Sequence, residues 1–202
     1  MLIDYKIHHW GPLLTKCKIQ EEDFLFFKEA IERADLTFTH SLSKLKHEPE
    51  FGLDDFKICN DILKKYVDGY LDVFHNVWTA NQPVGELELG NIWVNFQQKN
   101  EFRPPHIHDN CDASFVIYID IPEEITKEFE EDASEVYQPG SIVFTYLETP
   151  HTYHTFHPNG QHYFMPEPGD MFIFPYYLNH FSMPFKSDST RISISGNLVG
   201  KR

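Results

Sequence analysis

The sequence predicts a mainly β protein, in which short strands form a β-sandwich or small barrel and helices pack on one face. Two stretches, residues 21–34 and 54–79, place apolar side chains at helical spacing. From residue 86 onward the apolar period changes to two, which is typical of strands. Proline and glycine turn signals separate these strands at residues 139–140, 158–160 and 168–169.

The helical and strand-rich parts follow each other along the chain. A length of 202 residues fits one domain. We therefore expect a single domain over 1–202, with a helical N-terminal part at 1–85 and a β core at 86–202. The alternation at residues 2–7 predicts a strand, and the irregular stretch at 35–53 predicts a mobile loop.

The strands of the β core show either alternation or a continuous apolar run between turns. Residues 114–121 are almost entirely apolar, which predicts a strand covered on both faces. The other predicted strands lie at residues 87–89, 92–96, 141–147, 153–156, 162–165, 171–174 and 191–195.

The surface is expected to be acidic, because 31 Asp and Glu stand against 17 Lys and Arg and give a net charge of −14. Such a surface repels phosphate backbones and anionic membranes, so we expect no nucleic acid or membrane partner. Residues 123–135 hold seven of the acids and predict a solvated loop or sheet edge. The sequence contains no membrane-spanning stretch, signal-peptide pattern or cysteine motif, so we expect a cytoplasmic protein.

His106 and His108 form the first candidate metal site. Residues two apart on a strand project from the same face, so both imidazoles can reach one ion. Imidazole nitrogen suits Fe(II), Zn(II) and other first-row divalent metals. The same spacing also fits a polar surface pair, so the pair alone leaves both interpretations open.

Two further signals lie downstream. His180 follows a tight turn, a buried strand and a short loop, an order that can bring it back to the histidine pair. Arg191 and Ser193 lie on the polar face of an alternating strand. An arginine on an enclosed sheet face needs an anion, and its planar fork suits a carboxylate. The alternation equally allows that face to be open to solvent.

The order of these motifs resembles that of the Fe(II)/2-oxoglutarate-dependent oxygenase superfamily, and most of all its short members, phage-encoded ones among them. The resemblance covers residues 87–198, whereas the helical first 85 residues contain no matching motif. The matching stretches are Trp93-Val94-Asn95-Phe96, Pro105-His106-Ile107-His108, Gly169-Asp170-Met171-Phe172-Ile173-Phe174-Pro175, His180 and Arg191-Ile192-Ser193.

The resemblance implies a double-stranded β-helix, a cupin-like jelly-roll of two facing sheets, with the N-terminal helices packed on one sheet. It further implies that His106, His108 and His180 hold Fe(II), and that Arg191 and Ser193 bind the distal carboxylate of 2-oxoglutarate. The implied activity is that of a dioxygenase that hydroxylates a C–H bond while 2-oxoglutarate is decarboxylated to succinate.

The chain departs from the superfamily at His108, where most members have a carboxylate. Asp109 and Asp112 are the alternative ligands. Asp109 points to the opposite face of a regular strand and Asp112 lies in a predicted bend, so we favour the three histidines. Tyr118 shares the metal-facing side if no bulge intervenes, and it then either hydrogen-bonds the distal carboxylate, as a tyrosine does in related hydroxylases, or serves the core.

Three other histidines, His151, His154 and His157, are spaced by three. Prolines bound their segment and its residues prefer a strand, so a hairpin that turns at residues 158–160 is expected there rather than a second metal site. The hairpin fits either the rim of the pocket or the surface.

Two other functions stay open on the sequence: a three-histidine cupin-like protein that binds metal without 2-oxoglutarate, and a jelly-roll that binds a partner without catalysis. The Arg191-x-Ser193 pattern, which a cupin does not require, favours the oxygenase. We expect a small-molecule or peptide substrate and, by default, a homodimer. A phage-encoded chain would act in the host cytoplasm.

Overall fold

The computed structural model describes residues 11–33, 51–78, 85–134, 137–146 and 160–201. The described strands form two facing antiparallel sheets, a jelly-roll, which confirms the expected fold class. The strands are β1 Thr15–Lys18, β2 Leu87–Gln98, β3 Arg103–His106, β4 Ala113–Asp120, β5 Ile142–Thr145, β6 Gln161–Phe164, β7 Asp170–Pro175, β8 Asn179–Ser182 and β9 Thr190–Gly200. One sheet has the order β1-β7-β4-β9-β2, and the other has the order β3-β8-β5-β6.

Two helices precede the β core, as predicted. Helix α1 spans Glu21–Arg33, and helix α2 spans Leu53–Val73 and continues into a π-helical turn at Phe74–Trp78. Both helices have acidic residues in their first turn, where the helix dipole favours negative charge. None of the helices in the described ranges is long and apolar enough to cross a lipid bilayer.

The five-stranded sheet is buried on both faces, and the period of two decides which layer each side chain meets. On β4, Phe115 and Ile117 belong to the apolar cluster that the sheet shares with α1 and α2. Val116 and Tyr118 belong instead to a second cluster, between the two sheets, to which β5 contributes Phe144. The continuous apolar run is therefore covered on both sides, as predicted.

The sequence analysis missed two strands, β1 and β8. Strand β1 has no apolar alternation and is formed by pairing with β7 at the edge of the sheet. Strand β8 has four residues and is defined by its pairing with β3 and β5. The strands predicted at residues 2–7 and 153–156, the loop predicted at 35–53 up to residue 50, and the candidates His151, His154 and His157 lie outside the described residues.

The prediction of a solvated loop or sheet edge at residues 123–135 is wrong, because Glu123–Asp132 forms helix α3. Ile125 is fully buried, and Phe129 lies one helical turn further on the same face. The carboxylate of Glu128 accepts hydrogen bonds from the backbone N–H groups of Lys186 and Ser187 at 2.8 and 2.9 Å. The carboxylate of Glu128 thus anchors helix α3 to the segment before β9, while its apolar face places Ile125 in the interior.

Gly140 forms the turn between α3 and β5. Its φ of +71° is a conformation that side-chain-bearing residues rarely adopt, and a Cβ at this position would collide with Cγ2 of Ile125. The absence of a side chain therefore lets α3 pack directly on the turn.

We predict that Gly140→Ala lowers the free energy of unfolding by about 2–4 kcal/mol, through the left-handed backbone and the collision with Ile125. Gly69→Ala is the matched control: Gly69 lies inside α2 with nothing within 4 Å of a new Cβ, so it should raise stability by about 1 kcal/mol. Chemical denaturation of both variants checks this. Equal effects would contradict the role given to the turn.

Candidate active site

Three histidines converge between the two sheets. His106 ends β3 and is the register partner of His180 on β8, and His108 follows two residues after His106. One ligand atom from each lies within 4.8 Å of the others, and no other group of His, Cys, Asp or Glu in the described ranges meets this criterion. Nε2 of His108 and Nε2 of His180 are 3.2 Å apart. Two metal–imidazole bonds of about 2.1 Å at a right angle place their nitrogens about 3.0 Å apart, so this spacing suits a shared ion.

The expectation that both members of the His106-x-His108 pair lie on one strand is only half right, because β3 ends at His106. The backbone N–H of His108 donates to the carbonyl of Tyr176 at 3.0 Å, which keeps the chain against the turn after β7. The two rings therefore still lie on the same side, with centroids 5.3 Å apart.

Backbone carbonyls orient two of the rings. Nδ1 of His106 lies 2.8 Å from the carbonyl oxygen of Pro104, and Nδ1 of His180 lies 2.9 Å from that of Leu178. A carbonyl only accepts, so Nδ1 carries the proton in each ring and Nε2 presents its lone pair to the site.

All three imidazoles are held in the neutral form. Burial, with repulsion from Arg103, lowers the pKa of His106 to about 4. Burial and the neighbouring His106 lower the pKa of His108 to about 3, and burial lowers the pKa of His180 well below its usual value. A neutral imidazole is the form that binds a metal.

Neither carboxylate that the sequence offered lies with the histidines. Oδ2 of Asp112 accepts a hydrogen bond of 2.7 Å from the backbone N–H of Gly200. Asp109 is exposed and does not join the cluster.

Arg103 stands at the edge of the cluster. Its Nε donates a hydrogen bond of 3.2 Å to Nε2 of His106, the lone pair that would bind an ion. A metal bound by all three histidines would therefore require this guanidinium to move aside.

Arg191 lies 3% exposed on β9, which decides the question that alternation left open: its face is enclosed. Nη1 donates to the carbonyl of Gly140 and Nη2 donates to Oε1 of Gln97, both neutral groups. Nε is buried with no hydrogen-bond partner, and no carboxylate of the described ranges forms an ion pair with Arg191. A buried cation with an unsatisfied N–H is the complement of an anionic ligand.

Two other candidates from the sequence, Tyr118 and Ser193, lie beside Arg191. The ring of Tyr118 faces the guanidinium, with 5.2 Å between Cζ and the ring centroid. Ser193 is buried on the same face, and Nδ2 of Asn95 donates to its hydroxyl at 3.3 Å. The hydroxyl proton of Ser193 is therefore available to a ligand beside Arg191.

One cavity joins the three histidines to Arg191 and its neighbours, and a second cavity opens on the histidines. The inner cavity, of about 50 Å³, is lined by the three histidines together with Tyr118, Arg191 and Ser193. The outer cavity, of about 600 Å³, is lined by residues that include His106, His108, Trp93, Asn91, Asn197 and Asp109. Arg103 lines both.

Sequence reasoning missed Arg103, Gln97 and Gly140 as parts of the site. Gln97 had a readable signal, because it continues the face of Trp93 and Asn95 opposite the apolar residues of β2. Arg103 and Gly140 had none, since their importance depends on which residues meet them in space.

Comparison of the sequence with protein families finds a match over residues 91–197, just over half of the chain, to the family described as "Putative 2OG-Fe(II) oxygenase". A search of curated proteins finds no match.

Several solved structures share the fold at low sequence identity. A prolyl-4-hydroxylase from Pseudomonas putida superposes with a TM-score of 0.55 at 12% identity, over 94% of this chain and 93% of its own. The viral collagen prolyl hydroxylase from Paramecium Bursaria Chlorella virus-1, solved with 2OG, superposes with a TM-score of 0.58 at 12% identity, over 94% of this chain and 96% of its own. HygX from Streptomyces hygroscopicus, solved with nickel, 2-oxoglutarate and hygromycin B, superposes with a TM-score of 0.56 at 12% identity, over 93% of this chain and 83% of its own.

We predict that Arg103→Ala tightens binding of a divalent metal, with Mn(II) as a redox-stable probe, by the order of tenfold. The reason is that the guanidinium repels the ion and occupies the lone pair of His106. Arg103→Lys retains the charge without the planar donor, so it should show a smaller gain. Metal affinity that is unchanged or weaker in Arg103→Ala would contradict this competition.

Proposed function

The chain belongs to the 2OG-Fe(II) oxygenase family, and we propose that it is a hydroxylase that inserts oxygen into a C–H bond of a small molecule or peptide. The main support is that one cavity joins two groups of side chains. Three neutral imidazoles that face one another suit a metal cation, and a buried arginine without an anionic partner suits a carboxylate.

Fe(II) would be held by His106, His108 and His180. When bound, the metal and 2-oxoglutarate would supply the oxidising chemistry with O2 as the oxidant: one atom of O2 would go to the substrate and the other to succinate, with release of CO2. The chain would supply three neutral nitrogen ligands, and backbone carbonyls set the orientation of two of them, His106 and His180. Three neutral ligands leave one more positive charge at the metal than the usual pair of histidines with a carboxylate does.

The distal carboxylate of 2-oxoglutarate would pair with Arg191, with the hydroxyl of Ser193 as a second donor and the ring of Tyr118 packed against the guanidinium. The fit rests on Nε of Arg191, which is buried and unsatisfied. A carboxylate there replaces an uncompensated charge with charge-assisted hydrogen bonds. Withdrawal of Arg103 from His106, which metal binding requires, would also enlarge the small inner cavity.

The substrate would approach through the outer cavity, because it opens on His106 and His108 from the side away from Arg191. Its lining combines the guanidinium of Arg103 with the amides of Asn91 and Asn197, which favours a polar substrate with hydrogen-bond acceptors. Among the proteins of similar fold, one is named as a collagen prolyl hydroxylase, and another was solved with the small molecule hygromycin B.

We predict that His180→Ala weakens Fe(II) binding by more than the roughly 10- to 100-fold that loss of an outer partner of a metal ligand costs. Anaerobic titration with Fe(II) measures this. His162→Ala, which removes an exposed histidine of β6, is the matched control and should bind iron normally. Full iron binding by His180→Ala would remove His180 from the ligand set.

We predict that Arg191→Ala weakens 2-oxoglutarate binding by about 2–5 kcal/mol while iron binding is retained, because the distal carboxylate loses its charge partner. The readout is the weak visible charge-transfer band that develops when a 2-oxo acid chelates Fe(II) under anaerobic conditions. Arg33→Ala, at an exposed ion pair with Asp55, is the control. If the wild-type protein binds iron but develops no band with 2-oxoglutarate, the proposed cosubstrate is wrong.

A further inference from the structure

Gln97 lies directly opposite Arg191 across the pairing of β2 with β9. Its side chain is only 2% exposed, so every polar atom in it needs a partner within the protein. No motif of the sequence assigned it a role.

Two backbone carbonyls fix the orientation of the Gln97 amide. Nε2 lies 2.7 Å from the carbonyl oxygen of Glu101 and 3.0 Å from that of Met183. Carbonyl oxygens only accept, so both bonds require the NH2 end of the amide, and a flipped amide would place three oxygens together. Oε1 is thereby turned toward Arg191, where it accepts a hydrogen bond from Nη2.

The guanidinium of Arg191 is thus held from two sides by acceptors that have no charge, Oε1 of Gln97 and the carbonyl of Gly140. An acidic side chain at position 97 could accept the same hydrogen bond, but it would compensate the positive charge. A neutral amide fixes the position of the guanidinium and leaves its full charge, and the N–H of Nε, for a ligand.

We propose that Gln97 is a positioning residue for Arg191: it orients the guanidinium toward the distal carboxylate of the 2-oxo acid without neutralising it. This inference rests on the proposed function, since it takes 2-oxoglutarate as the ligand of Arg191. It assigns to Gln97 no contact with metal or substrate.

The test compares two 2-oxo acids on the Fe(II)-loaded protein under anaerobic conditions. 2-Oxoglutarate has the distal carboxylate, and 2-oxopentanoate has a methyl group in its place on a chain of the same length. In Gln97→Met, which retains the length of the side chain, we expect the affinity for 2-oxoglutarate to fall roughly 10- to 100-fold, as expected for a lost hydrogen bond to a charged group. The affinity for 2-oxopentanoate should stay at the wild-type value.

Gln98→Met is the matched control, because Gln98 is the next residue on β2 and its side chain is exposed. It should leave both affinities unchanged. Equal losses for both acids in Gln97→Met would mean that Gln97 only supports the fold, and wild-type affinities for both acids would mean that Arg191 needs no such partner. Either result overturns the inference.

Gln97→Asn keeps an amide on a side chain one methylene shorter, so its oxygen no longer reaches Nη2 of Arg191, and it provides the second variant if Gln97→Met does not fold. The affinity for 2-oxoglutarate should again fall, with that for 2-oxopentanoate unchanged. Wild-type affinity for 2-oxoglutarate in this variant overturns the inference. A wild-type protein that does not prefer 2-oxoglutarate to 2-oxopentanoate rejects the proposed cosubstrate, which separates failure of the function from failure of the role of Gln97.

Discussion

Burial of both faces of the five-stranded sheet is the constraint on which the rest of the structure depends. The helices cover one face with an apolar cluster that includes Ile92, Val94 and Ile194. Since neighbouring residues of a strand point to opposite faces, Gln97 and Arg191 are then directed at the second sheet. A shift of register by one residue would exchange the two faces and place Gln97 and Arg191 under the helices. The helices contain no recognisable motif, yet they decide which side of β2 and β9 can bind a ligand.

Much of this arrangement could be predicted from local patterns. The change of apolar period at residue 86 and the run at 114–121 are each visible within a few residues and correspond to strands β2 and β4. The spacing of His106 and His108 is visible in the same way, and their rings lie on one side although β3 ends at His106. Turn and strand signals order the chain around His180 and Arg191, although β8, which carries His180, had no signal of its own, and the roles of both residues stay predictions. Helix α3 was missed because the density of its charges hid two apolar residues, Ile125 and Phe129, at the spacing of a helical turn.

Gln97 lies on the recognisable polar face of β2, but its pairing with Arg191 could not be predicted, because that pairing depends on strand register. Gln97 and Arg191 are separated by 94 positions, and only the pairing of β2 with β9 brings them together. A glutamine on the polar face of a strand has the same pattern whether that face is enclosed or in solvent. The role of Gly140 is harder still to predict from the sequence, because Gly140 contributes a backbone carbonyl whose direction depends on the packing of α3.

The two halves of the candidate site belong to different sheets. His106 and His180 lie on strands of the four-stranded sheet, whereas Arg191, Ser193 and Tyr118 lie on strands of the five-stranded sheet. A ligand that reaches from the metal to Arg191 would therefore act as a clamp between the two layers, and its binding free energy would oppose their separation. Binding of the ligand that prepares the site for reaction would then also stabilise the packing of the two sheets. The amide hydrogens in the strands on both sides of the ligand would exchange more slowly.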